Sequence, residues 1–122
     1  IDVMVGLPGE TESSFEQTRS FIEKIHPAFI HVFPYSRRPG TPAAEMPGQV
    51  SEQEKKRRVA VLEDLCVRLH DEFRRAHAGI KEKVLFESTV RGGMMEGYSG
   101  NYIRVEKPYD PSLVGQIVEV EL

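Results

Sequence analysis

The sequence predicts two architectures in succession, an α/β segment followed by an all-β one. Three observations carry this. Between Thr11 and His77 apolar residues recur at helical spacing in two stretches, beside short apolar runs at 1–5 and 28–33. From Ile80 onward the period drops to two, as in strands. Gly79 stands where the period changes. A chain of 122 residues allows one ordinary domain or two small ones, and these signals predict domains at 1–78 and 79–122.

Ile1-Asp-Val-Met-Val5 reads as a short buried strand, and Gly6-Leu-Pro-Gly-Glu10 turns the chain. Thr11 then caps a helix with Phe15, Phe21, Ile22 and Ile25 on its apolar side, ended by Pro27. Ala28 to Phe33 is the next strand, so the order is strand–helix–strand, long enough for a parallel crossover. His31 to Ala44 continues into a basic loop in which Pro34, Pro39, Gly40 and Pro42 oppose both helix and sheet. A loop stiffened in this way at a strand end holds side chains still for a ligand.

Ser51-Glu-Gln-Glu54 is a capping box that opens a long helix reaching about His77. Val59, Leu62, Cys66, Leu69 and Phe73 form its apolar stripe, and the run Lys55-Lys-Arg-Arg58 reads as a solvated face. Beyond Gly79, Val84, Phe86 and Val90 alternate with Leu85, Glu87 and Thr89. Gly92-Gly93 signals a hairpin, Ser99-Gly-Asn101 a second turn, and Ile117 to Leu122 a last strand. Several short strands in forty-odd residues predict a small antiparallel barrel.

Composition excludes several classes. No run of eighteen apolar residues predicts a membrane span, and the first residues do not form a signal peptide. A single cysteine excludes an internal disulfide framework and suits a cytoplasmic location. The net charge of −3, with five basic and seven acidic residues from Gly79 onward, excludes binding driven by a whole-molecule positive field.

Gly6-Leu-Pro-Gly-Glu10, the His31–Ala44 stretch and the strand-rich region from Ile80 together resemble the radical-SAM methylthiotransferases. The resemblance implies the last βαβα portion of a partial triose-phosphate-isomerase-like barrel, followed by a TRAM domain, a small OB-like β-barrel that binds RNA. His-Val-Phe-Pro-Tyr-Ser36 with Arg-Arg-Pro-Gly-Thr-Pro-Ala44, and Gly97-Tyr-Ser-Gly-Asn-Tyr-Ile-Arg-Val105, look most like the branch acting on threonylcarbamoyladenosine in tRNA. The branches acting on isopentenyladenosine and on a ribosomal protein share part of this pattern and stand as alternatives. A non-enzymatic RNA-binding module is the alternative of another class.

Members of this family use S-adenosylmethionine and two 4Fe-4S clusters, held by cysteines that this chain lacks. The resemblance therefore implies a C-terminal fragment that is inactive alone, with no catalytic residue and no metal ligand of its own. Cys66, on an apolar stripe, reads as core. Met4 and Gly6 fall where the family contacts the adenine of the cofactor, although Asp2 and Gly9 depart from its pattern; the resemblance implies that Phe33 and Pro34 are placed to pack on the same adenine. Tyr35, Ser36, Arg37 and Arg38 are expected at the RNA-facing end of the barrel, since arginine forks suit phosphates and splayed bases. Arg91, Tyr98, Asn101, Tyr102, Arg104 and Lys107 are the RNA contacts expected of the TRAM portion, with the tyrosines as stacking platforms. The implied partners are a tRNA anticodon stem-loop and the missing N-terminal part of the same protein. Unpaired strand edges also predict self-association of the fragment.

Overall fold

The computed structural model describes residues 1–122, and the chain divides into two compact units, Ile1–Phe73 and Arg74–Leu122. In the first unit β1 (Asp2–Val5), α1 (Glu12–Ile25) and β2 (His31–Pro34) form a parallel crossover with Asp2 opposite His31 and Met4 opposite Phe33. Thr11 caps α1 as expected, and Ser14 reciprocates to close a capping box. α1 ends at His26 in the left-handed region, one residue before Pro27.

The basic loop contains an element that the sequence reading misses. Pro42–Glu45 forms a one-turn helix, α2, with Thr41 as its cap. Proline opposes a helix interior, but at the first helical position its missing N–H has no partner to lose.

The long helix α3 spans Glu52–Ala76. Its cap is half of the expected box: the Glu54 N–H donates to Ser51 Oγ, while the Glu54 carboxylate turns to Arg57 and Arg58 instead. Leu62, Leu65, Cys66 and Leu69 pack with Val5, Phe15, Ile22 and Ile30 into one core. Two expectations fail here. Phe21 and Ile25 are exposed, because the buried side of α1 is a narrow strip through Phe15 and Ile22. Lys55 and Arg58 are buried, because the inward stripe of α3 continues toward its N-terminus at the same three–four spacing.

By strand alternation Val3, Val5, Ile30 and Val32 face the helices, and Asp2, Met4, His31 and Phe33 face away. The expected barrel portion is not evident. The parallel sheet has only two strands, too few to curve into a barrel wall.

The second unit is a four-stranded antiparallel sheet in the order β5-β4-β3-β6, with β3 at Lys81–Arg91, β4 at Met94–Ser99, β5 at Arg104–Pro108 and β6 at Ile117–Glu121. Gly92 and Gly93 both have positive φ, as a tight two-residue hairpin requires. A register irregularity between Phe86 and Val90 bends β3. Val84, Phe86 and Met95 form the core, and Leu113, Val114, Val118 and Val120 pack against it. β5 and β6 remain unpaired edges, so the antiparallel sheet is an open half-barrel, compatible with the small antiparallel barrel that the sequence predicts.

Candidate functional site

Two groups of predicted residues lie at the strand ends of the first unit. Gly6 follows β1 directly, with φ of 76°, and its N–H donates to Glu10 Oε1 at 2.9 Å. A Cβ at this position would lie 2.4 Å from Lys55 Cγ, so the lysine stem fills the space that a glycine leaves. The turn's own packing therefore accounts for a glycine here. Lys55 is 2% exposed; its Nζ donates to Glu52 at 2.7 Å and lies 5.3 Å from the centre of the Tyr35 ring. Tyr35 is itself buried, and its hydroxyl has no hydrogen-bond partner.

Arg58 ties the same turn to α3. Its Nη1 donates to Glu10 Oε1 at 2.6 Å and to the Glu10 carbonyl at 3.1 Å, and its Nε reaches Glu54. The Phe15 ring lies beneath both Arg57 and Arg58. Arg57 pairs with Glu12 and Glu54, and this hydrogen bond, followed by that from Arg58, lowers the Glu54 carboxyl to about 2. Of the run from Lys55 to Arg58, only Lys56 is exposed without a partner.

The remaining predicted residues of this unit are spread out. Met4 is 41% exposed and sits beside half-buried Phe33 on the face turned from the helices, where the His31 and Phe33 rings are 5.5 Å apart. Pro34 and Ser36 are exposed. Arg37 commits its Nε to the Ala44 carbonyl at 2.7 Å, which pins the loop over α2; Arg38 is exposed and its carbonyl receives Thr41. Cys66 donates to the Ile30 carbonyl and accepts from the Ile30 N–H, a structural use of the thiol.

In the second unit the predicted set separates. Arg104 lies between Glu96, at 2.6 Å, and Glu106. The bond to Glu96 raises the guanidinium's pKa and lowers that of the carboxyl, so the charge is largely answered within the sheet. Lys107 is half-buried with its Nζ 5.6 Å from the Phe86 ring, and Arg91 is exposed at the hairpin. Asn101 Oδ1 accepts from Ser99 Oγ at 2.5 Å. Tyr98 and Tyr102 come together along one concavity, of about 680 Å³, which Lys81, Lys83, Leu85 and Ile117 also line. Those last four escaped sequence reasoning; the only available signal was that Leu85 and Ile117 are apolar on the outward phase of their strands.

No group of three or more histidine, cysteine, aspartate or glutamate side chains is placed to hold a metal ion. The chain matches no known family model. It is 41% identical over 123 aligned residues to the tRNA-2-methylthio-N(6)-dimethylallyladenosine synthases of Yersinia pestis and of Yersinia pseudotuberculosis serotype O:1b. The similarity runs the length of the chain. It covers 99% of this sequence and 26% of each relative, so the chain spans about a quarter of the curated relatives it matches. The relatives' names carry the methylthio chemistry and the tRNA substrate that the residues led us to expect. They carry dimethylallyladenosine where the sequence reading favoured threonylcarbamoyladenosine, so that finer assignment lacks support from them.

Proposed function

We propose that this chain is part of a tRNA methylthiotransferase of the radical-SAM class, acting on adenosine that bears a dimethylallyl (isopentenyl) group. The observation that carries this reading is whole-chain identity of 41% to enzymes so named. Their names favour the isopentenyl substrate over the threonylcarbamoyl one. The proposed division is residues 1–78 as the end of the catalytic portion and 79–122 as a TRAM-like RNA-binding portion.

Met4 and Phe33, adjacent and open on the face turned from the helices, are the residues here that would hold the adenine of S-adenosylmethionine. Gly6 is less suited, with its N–H given to Glu10 and its open side filled by Lys55. When bound beside an iron–sulfur cluster, S-adenosylmethionine supplies the radical and the methyl group. The one cysteine is committed to Ile30, so cluster ligands would lie in other parts of a longer protein. This chain's own contribution is to bind and orient. The Glu10–Arg58–Glu54 network holds the turn after β1 still, and Ser36 and Arg38 stand free at the end of β2 to meet RNA.

Nucleoside mass spectrometry of tRNA from cells lacking the gene tests this. The expected result is loss of the methylthio group from isopentenyladenosine. Loss from threonylcarbamoyladenosine instead would keep the chemistry and move the substrate. Unchanged tRNA would overturn the reading.

A further inference from the structure

Both edges of the second sheet are free, and they differ in how well they can accept another strand. The phase of each backbone follows from the ends of its ladder. The Leu122 N–H donates to the Ile80 carbonyl and the Phe86 N–H to the Gln116 carbonyl. By antiparallel alternation Val118 and Val120 turn their backbone groups to β3, and Ile117, Glu119 and Glu121 turn theirs to the open side. On β5 the Ser99 N–H donates to the Ile103 carbonyl and the Tyr109 N–H to the Gly93 carbonyl, which sets Arg104, Glu106 and Pro108 on the open side.

Natural sheet edges are guarded by prolines, bulges and charges. β5 is guarded in this way: Pro108 has no N–H to give, and Arg104 is bound to Glu106 beside it. β6 has neither a proline nor a break in its register against β3. The N–H and C=O groups of Ile117, Glu119 and Glu121 thus form a continuous ladder with no strand to meet it.

The side chains say what would pair there. Lys83 lies opposite Glu119 and Lys81 opposite Glu121, so a basic column on β3 is followed by an acidic one on β6. Opposite charges directly across strands stabilise a sheet and like charges weaken it, so the next strand outward should carry cations. The carboxylates are open to it. The Glu119 side chain is 64% exposed with Lys81 at 3.7 Å, and Glu121 is exposed. On the other phase Val118 and Val120 are half-buried against the core of Val84, Phe86 and Met95, and apolar residues beside them would extend that core.

A second copy of the chain fits poorly. β6 laid antiparallel along its own equivalent over its full length brings Glu119 against Glu119. β6 laid on β5 brings Glu119 against Glu106, and Ile117 against Pro108.

We propose that β6 is a docking edge for an extended segment of another protein, paired antiparallel, in which basic and apolar residues alternate. Its basic residues lie across from Glu119 and Glu121 on the outer face, and its apolar residues lie beside Val118 and Val120. This goes beyond the tRNA reading and stands independently of it.

The test is fluorescence anisotropy of the 122-residue chain at low ionic strength with labelled peptides that alternate lysine and valine. Residues directly across an antiparallel pair share a face, so the lysines point their backbone N–H groups at β6 and the valines point theirs away. A peptide N-methylated on the lysine backbone nitrogens therefore loses the pairing with its charge unchanged. One N-methylated on the valines keeps both. The valine-methylated peptide should bind within about 3-fold of the unmodified one, and the lysine-methylated peptide about 10-fold or more weakly. Glu119→Gln combined with Glu121→Gln, both at exposed positions, should weaken the unmodified peptide by about 2- to 10-fold. Absence of binding up to about 1 mM peptide overturns the proposal. Equal affinity of the two methylated peptides shows attraction by charge alone and overturns the strand pairing. Unchanged affinity in the double variant, or equal binding of a peptide alternating glutamate and valine, overturns the basic partner.

Discussion

Replacing Arg58 by methionine in the intact chain keeps the length of the side chain and removes its guanidinium. The lost group makes hydrogen bonds to Glu10 Oε1, the Glu10 carbonyl and Glu54 Oε1, from a side chain 5% exposed. Glu10, 14% exposed, would keep only the Gly6 N–H as partner. Breaking one side of a buried pair costs about 3–5 kcal/mol, and the 33% exposure of Glu54 places this case near the lower end. A loss of about 3 kcal/mol is a large part of the roughly 5–15 kcal/mol that holds a domain together. Urea unfolding followed by circular dichroism at helix wavelengths reports the first unit, which holds α1, α2 and most of α3. The midpoint should fall by about 1–3 M. Glu10→Gln combined with Arg58→Met should recover part of the loss, because no unpaired charge is then left behind. A loss under about 1 kcal/mol, or a double variant no better than the single one, would refute the argument that this pair fixes the turn.

Other outcomes follow from the same geometry. Because the Glu54 pKa is about 2 in the folded chain, against an ordinary value of 4.5, its contribution to stability is fully present above about pH 4.5. That contribution should be lost as pH falls from there toward 2; urea midpoints across this window should fall less steeply in Glu54→Gln, and parallel curves would count against the assignment. Gly6→Ala should destabilise the first unit by about 1–3 kcal/mol, from the positive φ and the Lys55 stem, with thermal unfolding as the measure. Gly97→Ala should unfold the second unit, because its Cβ would lie 2.7 Å from Val84 Cγ1 and 2.8 Å from the Leu85 carbonyl oxygen; a well-dispersed NMR spectrum of the β residues in that variant would show the sheet adapting.

Local signals were the legible ones. Thr11 as a cap and Gly92-Gly93 as a hairpin depend on a few neighbouring residues, and both appear as read. The burial of Lys55 and Arg58 was not legible, since it depends on a turn some 48 residues earlier in sequence folding over α3. A run of four cations looks the same whether or not Glu10 arrives to meet it. Arg104 likewise reads as a free phosphate ligand until the register of β4 and β5 sets it near Glu96. Alternation told that Leu85 and Phe86 point opposite ways, but setting Leu85 between Tyr98 and Ile117 needs the pairing of β3 with both β4 and β6.

The inward turn of Lys55 and Arg58 alters how polyelectrolyte measurements on this chain are to be interpreted. Each cation that docks on a phosphate frees a condensed counterion, and the salt slope counts those events, about 0.7 per contact on a single strand. The tetrad from Lys55 to Arg58 contributes Lys56 alone to that count, since Arg57 is clasped by Glu12 and Glu54. Arg19 is similarly answered by Glu16 and Glu23 along α1, and Arg68 by Glu72 on α3 and Glu23 across on α1. Alanine at Lys55 or Arg58 would thus register as lost folded protein, with an apparent affinity loss that no change in salt slope accompanies, whereas alanine at Lys56 leaves the fold intact.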